Sequence, residues 1–423
     1  MSGKGTSPSG EWGDWVAPRE AWARVRAAWQ PSPAETEHVD LAACRARVLA
    51  EDISAPRDSP TFDRSAVDGY ALRSEDTATA SAETPATLIY AGEVPMGAIS
   101  TVAAGAGRAV WVATGSMIPD GADGVVMVER TTRDGDTVRV LQQVRPGDGI
   151  VRRGDDLQAG ARVLRAGRML RPQDVAALAS MGFARVPVRR RPRVAIISGG
   201  DELVTPGEPL QPGQIYDSNS FAMAAQIAAW GGEPVVLPRV HDRPEEVRAR
   251  LGQAVHEADI VLLSGGSSVG VKDLTAEAID ALGPPGVIVH GVAMRPARPT
   301  IIGVVEGRLV IGIPGNPVSA MIACEVFARP ALETLSGMQV RDAGTVGEHV
   351  ERGRLAEAVR SQPGRQDYVR VRLEHSGGET LVRPVPGGSN AIRSLVDADG
   401  YLVVPPERAA LDRDEVVEVS LFE

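Results

Sequence analysis

Ile260-Val261-Leu262-Leu263-Ser264-Gly265-Gly266-Ser267-Ser268-Val269-Gly270-Val271-Lys272-Asp273 is the stretch on which the fold turns. Its first four residues form an apolar run too short for a helix, the small residues after them let backbone approach a ligand, and helical periodicity follows over 274–282. Strand, small-residue loop and helix together make a βα unit. The same texture recurs around it: strands at 194–197, 234–237 and 308–313, and helices at 220–230, 244–256 and 318–335. Alternation at this spacing predicts a parallel sheet flanked by helices, a three-layer α/β domain over about 190–340.

Outward from this domain the pattern changes. Residues 18–47 read as mostly helical, interrupted near Pro31 and Pro33, with Trp22, Val25 and Trp29 on one face of the first helix. Between 55 and 156 the chain is rich in Val, Thr and Gly, with short apolar runs at 109–113 and 124–128, which predicts a β-rich domain. A helix over 171–181, with Pro172 in its first turn, is expected to pack beside the N-terminal one. The β-rich segment, 57–156, then reads as an insertion into a helical linker domain of 16–56 and 157–189, after a disordered leader at 1–15. Short strands at 368–373, 380–384, 401–404 and 415–419 predict a small all-β domain over 345–423. There is no internal repeat.

Composition removes several classes of function. With 423 residues the chain exceeds one core, and a net charge of −10 argues against a general nucleic-acid binder. No run approaches the roughly 18 apolar residues a membrane span needs, and the first residues lack the apolar core of a signal peptide, so a cytoplasmic protein is expected. Cys44 and Cys324 read as buried free thiols.

Ligands of open α/β sheets bind beyond the carboxyl ends of the strands. Three strand ends lead there into small-residue loops: Ser198-Gly199-Gly200-Asp201-Glu202, Ser264 to Gly270, and Pro314-Gly315-Asn316-Pro317. Two run into helices, whose N-terminal N–H groups favour anions, so a phosphorylated ligand across the three loops is the simplest account. A P-loop would need lysine at Val271 and a hydroxyl at Lys272, and no Gly-x-Gly-x-x-Gly opens a helix, so neither a nucleotide triphosphatase nor a dinucleotide dehydrogenase fits. Asp201, Glu202, Asp242 and Asp273 supply hard oxygen ligands suited to Mg²⁺. Helix capping competes for Asp273 and for Asp242 ahead of Pro244, which leaves Asp201-Glu202 as the stronger pair. In Met294-Arg295-Pro296-Ala297-Arg298-Pro299 prolines stiffen a segment with two guanidiniums suited to a tetrahedral oxyanion, whereas Arg189-Arg190-Arg191-Pro192-Arg193 reads as an interdomain linker. Histidine spacing does not suit zinc, and no Gly-x-Ser-x-Gly elbow is present.

These motifs, in order and spacing, resemble the molybdopterin molybdenumtransferases, the family of bacterial MoeA and the E domain of gephyrin. The resemblance also rests on Ser65-Ala66-Val67-Asp68-Gly69-Tyr70-Ala71, Ala113-Thr114-Gly115, Pro119-Asp120-Gly121-Ala122-Asp123 and Gly154-Asp155-Asp156, and so spans nearly the whole chain. It implies a homodimer of four-domain subunits, with a MogA-like molybdopterin-binding α/β domain and a small C-terminal β-barrel. It further implies insertion of molybdate into adenylylated molybdopterin with Mg²⁺-dependent release of AMP. By resemblance, Asp68 and Thr114 of one subunit complete a site founded on Glu202 and Asp273 of the other, where Asp201, Glu202, Asp242 and Asp273 would arrange the metal and leaving group. Gly199, Gly200, Ser264, Gly265, Gly266, Ser267, Ser268, Gly270, Lys272, Pro314, Gly315, Asn316 and Pro317 would hold the substrate, and Arg295, Arg298, Arg365 and Ser389 the molybdate. The family also implies a handover from the adenylyltransferase of the preceding step. Three departures stand out: Thr-Gly-Asp-Glu becomes Gly199-Gly200-Asp201-Glu202, Lys-Pro-Gly-Lys-Pro becomes Arg295-Pro296-Ala297-Arg298-Pro299, and the methionine before Asp-Gly-Tyr is Val67. The competing expectation is a non-catalytic or divergent molybdopterin-binding scaffold of the same fold. An adenylyltransferase is disfavoured, because it would share the α/β domain alone.

Overall fold

The structure is a computed structural model that describes residues 15–265, 271–338 and 349–422, with 271–273 through their backbone alone. Two compact units divide the chain, one of 39–45 and 51–186 and one of the described residues elsewhere.

The first unit is built on a six-stranded sheet, in order Gly124–Met127, Gly69–Leu72, Arg108–Val112, Ala86–Val94, Thr137–Val140 and Thr131–Asp134. Period-two alternation gives the sheet two apolar faces. Tyr70, Leu72, Val126 and Val138 pack on one side, and Ala71, Val94, Val110, Val112 and Val125 on the other. The helix Pro172–Ser180 also belongs here. Its buried Asp174 accepts hydrogen bonds from Arg171 N at 2.9 Å and from Arg168 and Arg171 side chains at 3.0 and 3.2 Å. Burial opposes the charged carboxylate, but the Arg168 and Arg171 donors outweigh it and hold Asp174 down to about 2. Its folded pKa is therefore depressed, so the stability it contributes is present above the ordinary carboxylate range and lost as pH falls from about 4 towards 2. In acid titrations followed by circular dichroism, Asp174→Asn should remove a component of this unit's unfolding in that window, on the order of 2 kcal/mol.

In the second unit the chain begins with α1 (Pro18–Ala28), and its sheet comprises β1 (Arg193–Ser198), β2 (Glu233–Val236), β3 (Ile260–Ser264), β4 (Pro285–His290), β5 (Ile301–Val305) and β6 (Arg308–Ile313). The order is β2-β1-β3-β6-β5-β4, parallel through the first four strands and antiparallel at the last two. The expected parallel sheet thus carries an antiparallel edge. Helices α2 (Asn219–Ala229), α3 (Pro244–Glu257) and α4 (Val271–Ala281) follow β1, β2 and β3, and α5 (Pro317–Ala323) follows β6, continuing through one π turn into α6 (Arg329–Leu335). Val194, Ile196, Ile260 and Leu262 face Met223, Ile227 and Phe327, while Ala195, Ile197, Val261 and Leu263 face Val247, Leu251 and Ile279. The three layers follow from that alternation.

Three expectations are corrected here. The apolar face of the helix at the start of the chain belongs to the α/β core, where Trp22 and Val25 lie with Ile302 and Val304. An amphipathic face shows that a helix packs, not on what. Nor does helix continue towards residue 47, since Pro31 and Pro33 fix φ and remove donors, after which Thr36–Asp40 is a strand. The arginine run at 189–193 is more than a linker as well. Arg190 grips the buried Asp259 at 3.0 and 3.2 Å, Arg193 N donates to it at 2.8 Å and Arg308 at 3.1 Å, which ties the starts of β1, β3 and β6 together.

The C-terminal part is a closed barrel of β7 (Val350–Leu355), β8 (Gln366–Ser376), β9 (Glu379–Pro384), β10 (Gly400–Val404) and β11 (Val416–Leu421), in order β8-β9-β7-β11-β10 with β10 returning to β8. Val371, Val382, Leu402, Val404 and Val419 fill it. The short strand Met294–Arg295 pairs in parallel with β8, Met294 opposite Gln366 and Arg295 opposite Asp367. Cys44 and Cys324 are buried and free, as expected. Among the described residues no helix is long and apolar enough to cross a membrane.

Candidate active site

The registers Ser198 to Ser264 and Ser264 to Ile313 bring the carboxyl ends of β1, β3 and β6 level, so the three small-residue loops leave the sheet side by side. Their backbones touch. Gly199 N donates to Ser264 O at 2.6 Å and Gly265 N to Ile313 O at 3.3 Å. Gly265 has φ +135, and a Cβ there would lie 2.0 Å from Gly199 O, so only glycine fits. Gly200, at φ +145, is bare for a different reason: the Glu202 carboxylate folds back to within 2.7 Å of where its Cβ would stand. Gly199 carries neither constraint. A methyl added there would first meet the Val240 side chain, at 3.5 Å, an ordinary contact. Gly199→Thr, which restores the family's residue, should leave the melting temperature within about 2 °C of the parent in a thermal scan.

A cleft of about 520 Å³ opens over these loops, lined by Ser198, Gly199, Glu202, Asp242, Ser264, Gly265, Gly315, Asn316 and Pro317. Ser198 Oγ is buried there without a hydrogen-bond partner among the described residues. Glu202 and Asp242 meet in this cleft, and Asp242 does not cap α3, whose first turn receives no side-chain cap from its N-cap residue Arg243. Burial, then the charges of Asp201 and Glu202, push the Asp242 carboxyl up. Asp201 is engaged elsewhere: its Oδ1 lies 2.7 Å from His241 Nδ1, a bond that heads the causes holding its carboxyl below the usual range. Among the described residues no three His, Cys, Asp or Glu side chains form a ready-made metal cage. Two carboxylates on one cleft are a donor set that could hold Mg²⁺, a cation that keeps waters and shares oxygens with an anionic ligand. Gly266, Ser267, Ser268 and Gly270 lie outside the described residues, as do the side chains of Lys272 and Asp273.

A second cleft, of about 770 Å³, lies between the α/β layer and the barrel and is lined by Arg295, Arg298, Arg360, Arg365, Arg370, Asp367, Pro314, Asn316 and Ser389. All four residues expected to hold molybdate are therefore brought together. Arg365 is held by the buried Asp367 at 2.7 and 3.2 Å, a bidentate pair that fixes its plane. Ser389 is tethered through its carbonyl, which accepts from Val318 N at 3.1 Å. Arg370 donates to Gly388 O at 3.4 Å and, at closer range, to Gly387 O. Burial and then the charge of Arg295 lower its pKa, so two cations crowd one wall where an anion would relieve them. Asn316 lines both clefts, which makes them neighbours.

Several contributors escaped the sequence reading. Asn219 Nδ2 donates to Ser264 Oγ at 3.0 Å and to Gly315 O at 2.7 Å, clamping two of the loops. The only sequence signal there, Asp217-Ser218-Asn219-Ser220 ahead of an apolar-periodic run, is that of a helix start, and Asp217 does accept from Ser220 N at 3.0 Å. Asp367, Arg360 and Arg370 sit on or beside β8 and carry no local motif.

In the first unit, Asp68 Oδ1 accepts from Thr114 N at 2.7 Å and Thr114 Oγ1 at 2.9 Å, and these bonds, the backbone one foremost, hold the carboxyl below its usual range. The two motifs are zipped together by Gly115 N to Ser65 O at 2.7 Å and Ser65 N to Ser116 O at 2.9 Å.

Three level strand-end loops over one cleft, beside a second cleft lined by arginines, define an α/β protein with a site suited to anionic ligands. Residues 16–182 match the family model of the MoeA N-terminal region (domain I and II), 195–334 that of a probable molybdopterin binding domain, and 352–422 that of the MoeA C-terminal region (domain IV). Molybdopterin molybdenumtransferase 2 of Mycobacterium tuberculosis is 36% identical over 386 residues, covering 90% of this chain and 92% of that one. The molybdopterin molybdenumtransferase of Bacillus subtilis is 34% identical over 398 residues, covering 92% and 90%. A crystal structure of the molybdopterin biosynthesis MoeA protein from Pyrococcus horikoshii superposes with a TM-score of 0.82 at 33% identity, covering 97% of this chain and 100% of that one. The chain belongs to the molybdopterin molybdenumtransferase family.

Proposed function

We propose that this protein is a molybdopterin molybdenumtransferase that inserts molybdate into adenylylated molybdopterin, with Mg²⁺-dependent release of AMP, as a step of molybdenum cofactor biosynthesis in the cytoplasm. The observation that carries the reading is the pair of adjoining clefts sharing Asn316, one suited to a phosphate and the other to an oxyanion.

In this reading the backbone around Gly199, Gly200, Ser264, Gly265 and Pro314-Gly315-Asn316-Pro317 cradles the phosphate and adenylyl portion, and the family resemblance assigns Gly266, Ser267, Ser268, Gly270 and Lys272 to the same substrate. Glu202 and Asp242, joined by Asp201 and, on the family resemblance, Asp273, would hold Mg²⁺, which would supply charge neutralisation for the departing phosphate. Cleavage of the phosphoanhydride asks mainly for positioning and charge stabilisation, and these residues provide both without a nucleophile. Arg295, Arg298, Arg365 and Ser389 orient molybdate in the neighbouring cleft, and Asp367 fixes the orientation of the Arg365 guanidinium. The working form is a homodimer in which Asp68 and Thr114 come from a second copy of the chain, and the substrate arrives from the adenylyltransferase of the preceding step.

The test is incubation of purified protein with adenylylated molybdopterin, molybdate and Mg²⁺ while AMP is monitored. Release that stops on chelation of Mg²⁺ and resumes on its return is expected. No AMP across a range of molybdate and Mg²⁺ would favour a binding scaffold instead.

A further inference from the structure

We infer that Trp15 is a positioning residue for the oxyanion cleft, its indole holding the Arg298 guanidinium ready for molybdate. This rests on the reading that the arginine-lined cleft takes the oxyanion. Trp15 lies outside every motif that carries the family resemblance.

The backbone of the Arg298 turn is already fixed. Val292 N donates to Arg298 O at 2.9 Å, and Thr300 holds Ala297 O through its N at 3.2 Å and its Oγ1 at 2.8 Å. The side chain is exposed at the cleft rim, where ordering a long arginine costs rotamer entropy that a stacking contact helps to offset. Its Cζ lies 4.5 Å from the centroid of the Trp15 ring, within cation–π range.

The indole is itself anchored. Val16 bridges to Val292 in parallel, and Ala293 N donates to Val16 O at 2.8 Å. Gly291, at φ +85, clears the ground beneath it: a Cβ there would stand 2.9 Å from Trp15 Cδ1 and Nε1. The chain thus builds a seat for the ring next to the turn that carries Arg298. A guanidinium stacks its flat face on an indole where the ammonium of lysine presents only a strongly hydrated point charge. The seat therefore matches the departure from Lys-Pro-Gly-Lys-Pro to Arg295-Pro296-Ala297-Arg298-Pro299, and molybdate affinity here depends on an aromatic residue distant in sequence.

The experiment measures molybdate KM and kcat for AMP release, molybdate binding by calorimetry, and melting temperature for Trp15→Ala, Trp15→Phe, Arg298→Met, Arg365→Met and the double variant Trp15→Ala/Arg298→Met. Trp15→Ala should raise the molybdate KM and dissociation constant about two- to fivefold with kcat little changed, Trp15→Phe should recover most of the loss, and Trp15→Ala should add nothing in the Arg298→Met background. An unchanged molybdate KM in Trp15→Ala, or an equal rise with and without Arg298, overturns the inference. If Arg298→Met and Arg365→Met weaken molybdate binding while Trp15→Ala does not, the inference alone is wrong. If neither arginine variant changes binding, the oxyanion reading of the cleft fails and the inference falls with it.

Discussion

Glu202→Gln is expected to reduce AMP release by at least about a hundredfold while leaving a folded protein. The substitution keeps the shape of the side chain and removes its charge. Its carboxylate lies against the bare backbone of Gly200, a position that the glycine's positive φ and missing Cβ create, and it lines the same cleft as Asp242. An amide in that place can still pack but cannot offer an anionic oxygen to Mg²⁺. Single-turnover AMP release at saturating Mg²⁺, with a melting curve alongside, separates lost chemistry from lost fold. Full activity would remove Glu202 from the mechanism. Co-expression with Asp68→Asn gives the same experiment a second use: if sites are shared between two copies, the mixed dimer regains activity that neither variant has alone.

Gly265→Ala should be the most damaging glycine-to-alanine change among the described residues of the α/β layer. The added carbon would stand 2.0 Å from Gly199 O on a backbone at φ +135, so the β1 and β3 loops must part. A destabilisation of about 3 kcal/mol or more is expected from urea unfolding, with loss of substrate binding in whatever remains folded. The contrast with Gly199→Thr is informative because both glycines belong to the same wall. If the two variants proved equally mild, the close backbone contact between these loops would not be a requirement of the site.

The parts legible in the sequence are those governed by local periodicity and by order along the chain. The strand 260–264, its neighbours at 193–198 and 308–313, and the loops after them could be read because buried parallel strands are short apolar runs and small residues mark where backbone meets ligand. Arg295, Arg298, Arg365 and Ser389 were assembled by resemblance, and the structure sets them around one cleft. What escaped depends on partners far away in sequence. Asp201 looks equivalent to Glu202 until His241, forty residues on, is seen to engage it. Asn219 passes for part of a helix start, although its amide clamps two loops. Asp367 is an unremarked acid in a β-strand until the fold sets it against Arg365. The role of α1 was lost for the same reason, since Trp22 and Val25 announce a buried face without naming the sheet that covers it.

The hydrogen-bonded pairing of Met294–Arg295 with Gln366 and Asp367 has a bearing on how this protein can be re-engineered. A chimera that exchanges the C-terminal barrel with that of a relative would ordinarily be spliced ahead of the barrel's first strand. Here that junction would separate Arg295 from the strand that sets its register, and would leave the host's arginine turn to mate with a foreign edge. The unit of exchange for altering oxyanion preference is therefore the barrel together with the turn from Gly291 to Thr300, transplanted as two segments of one graft.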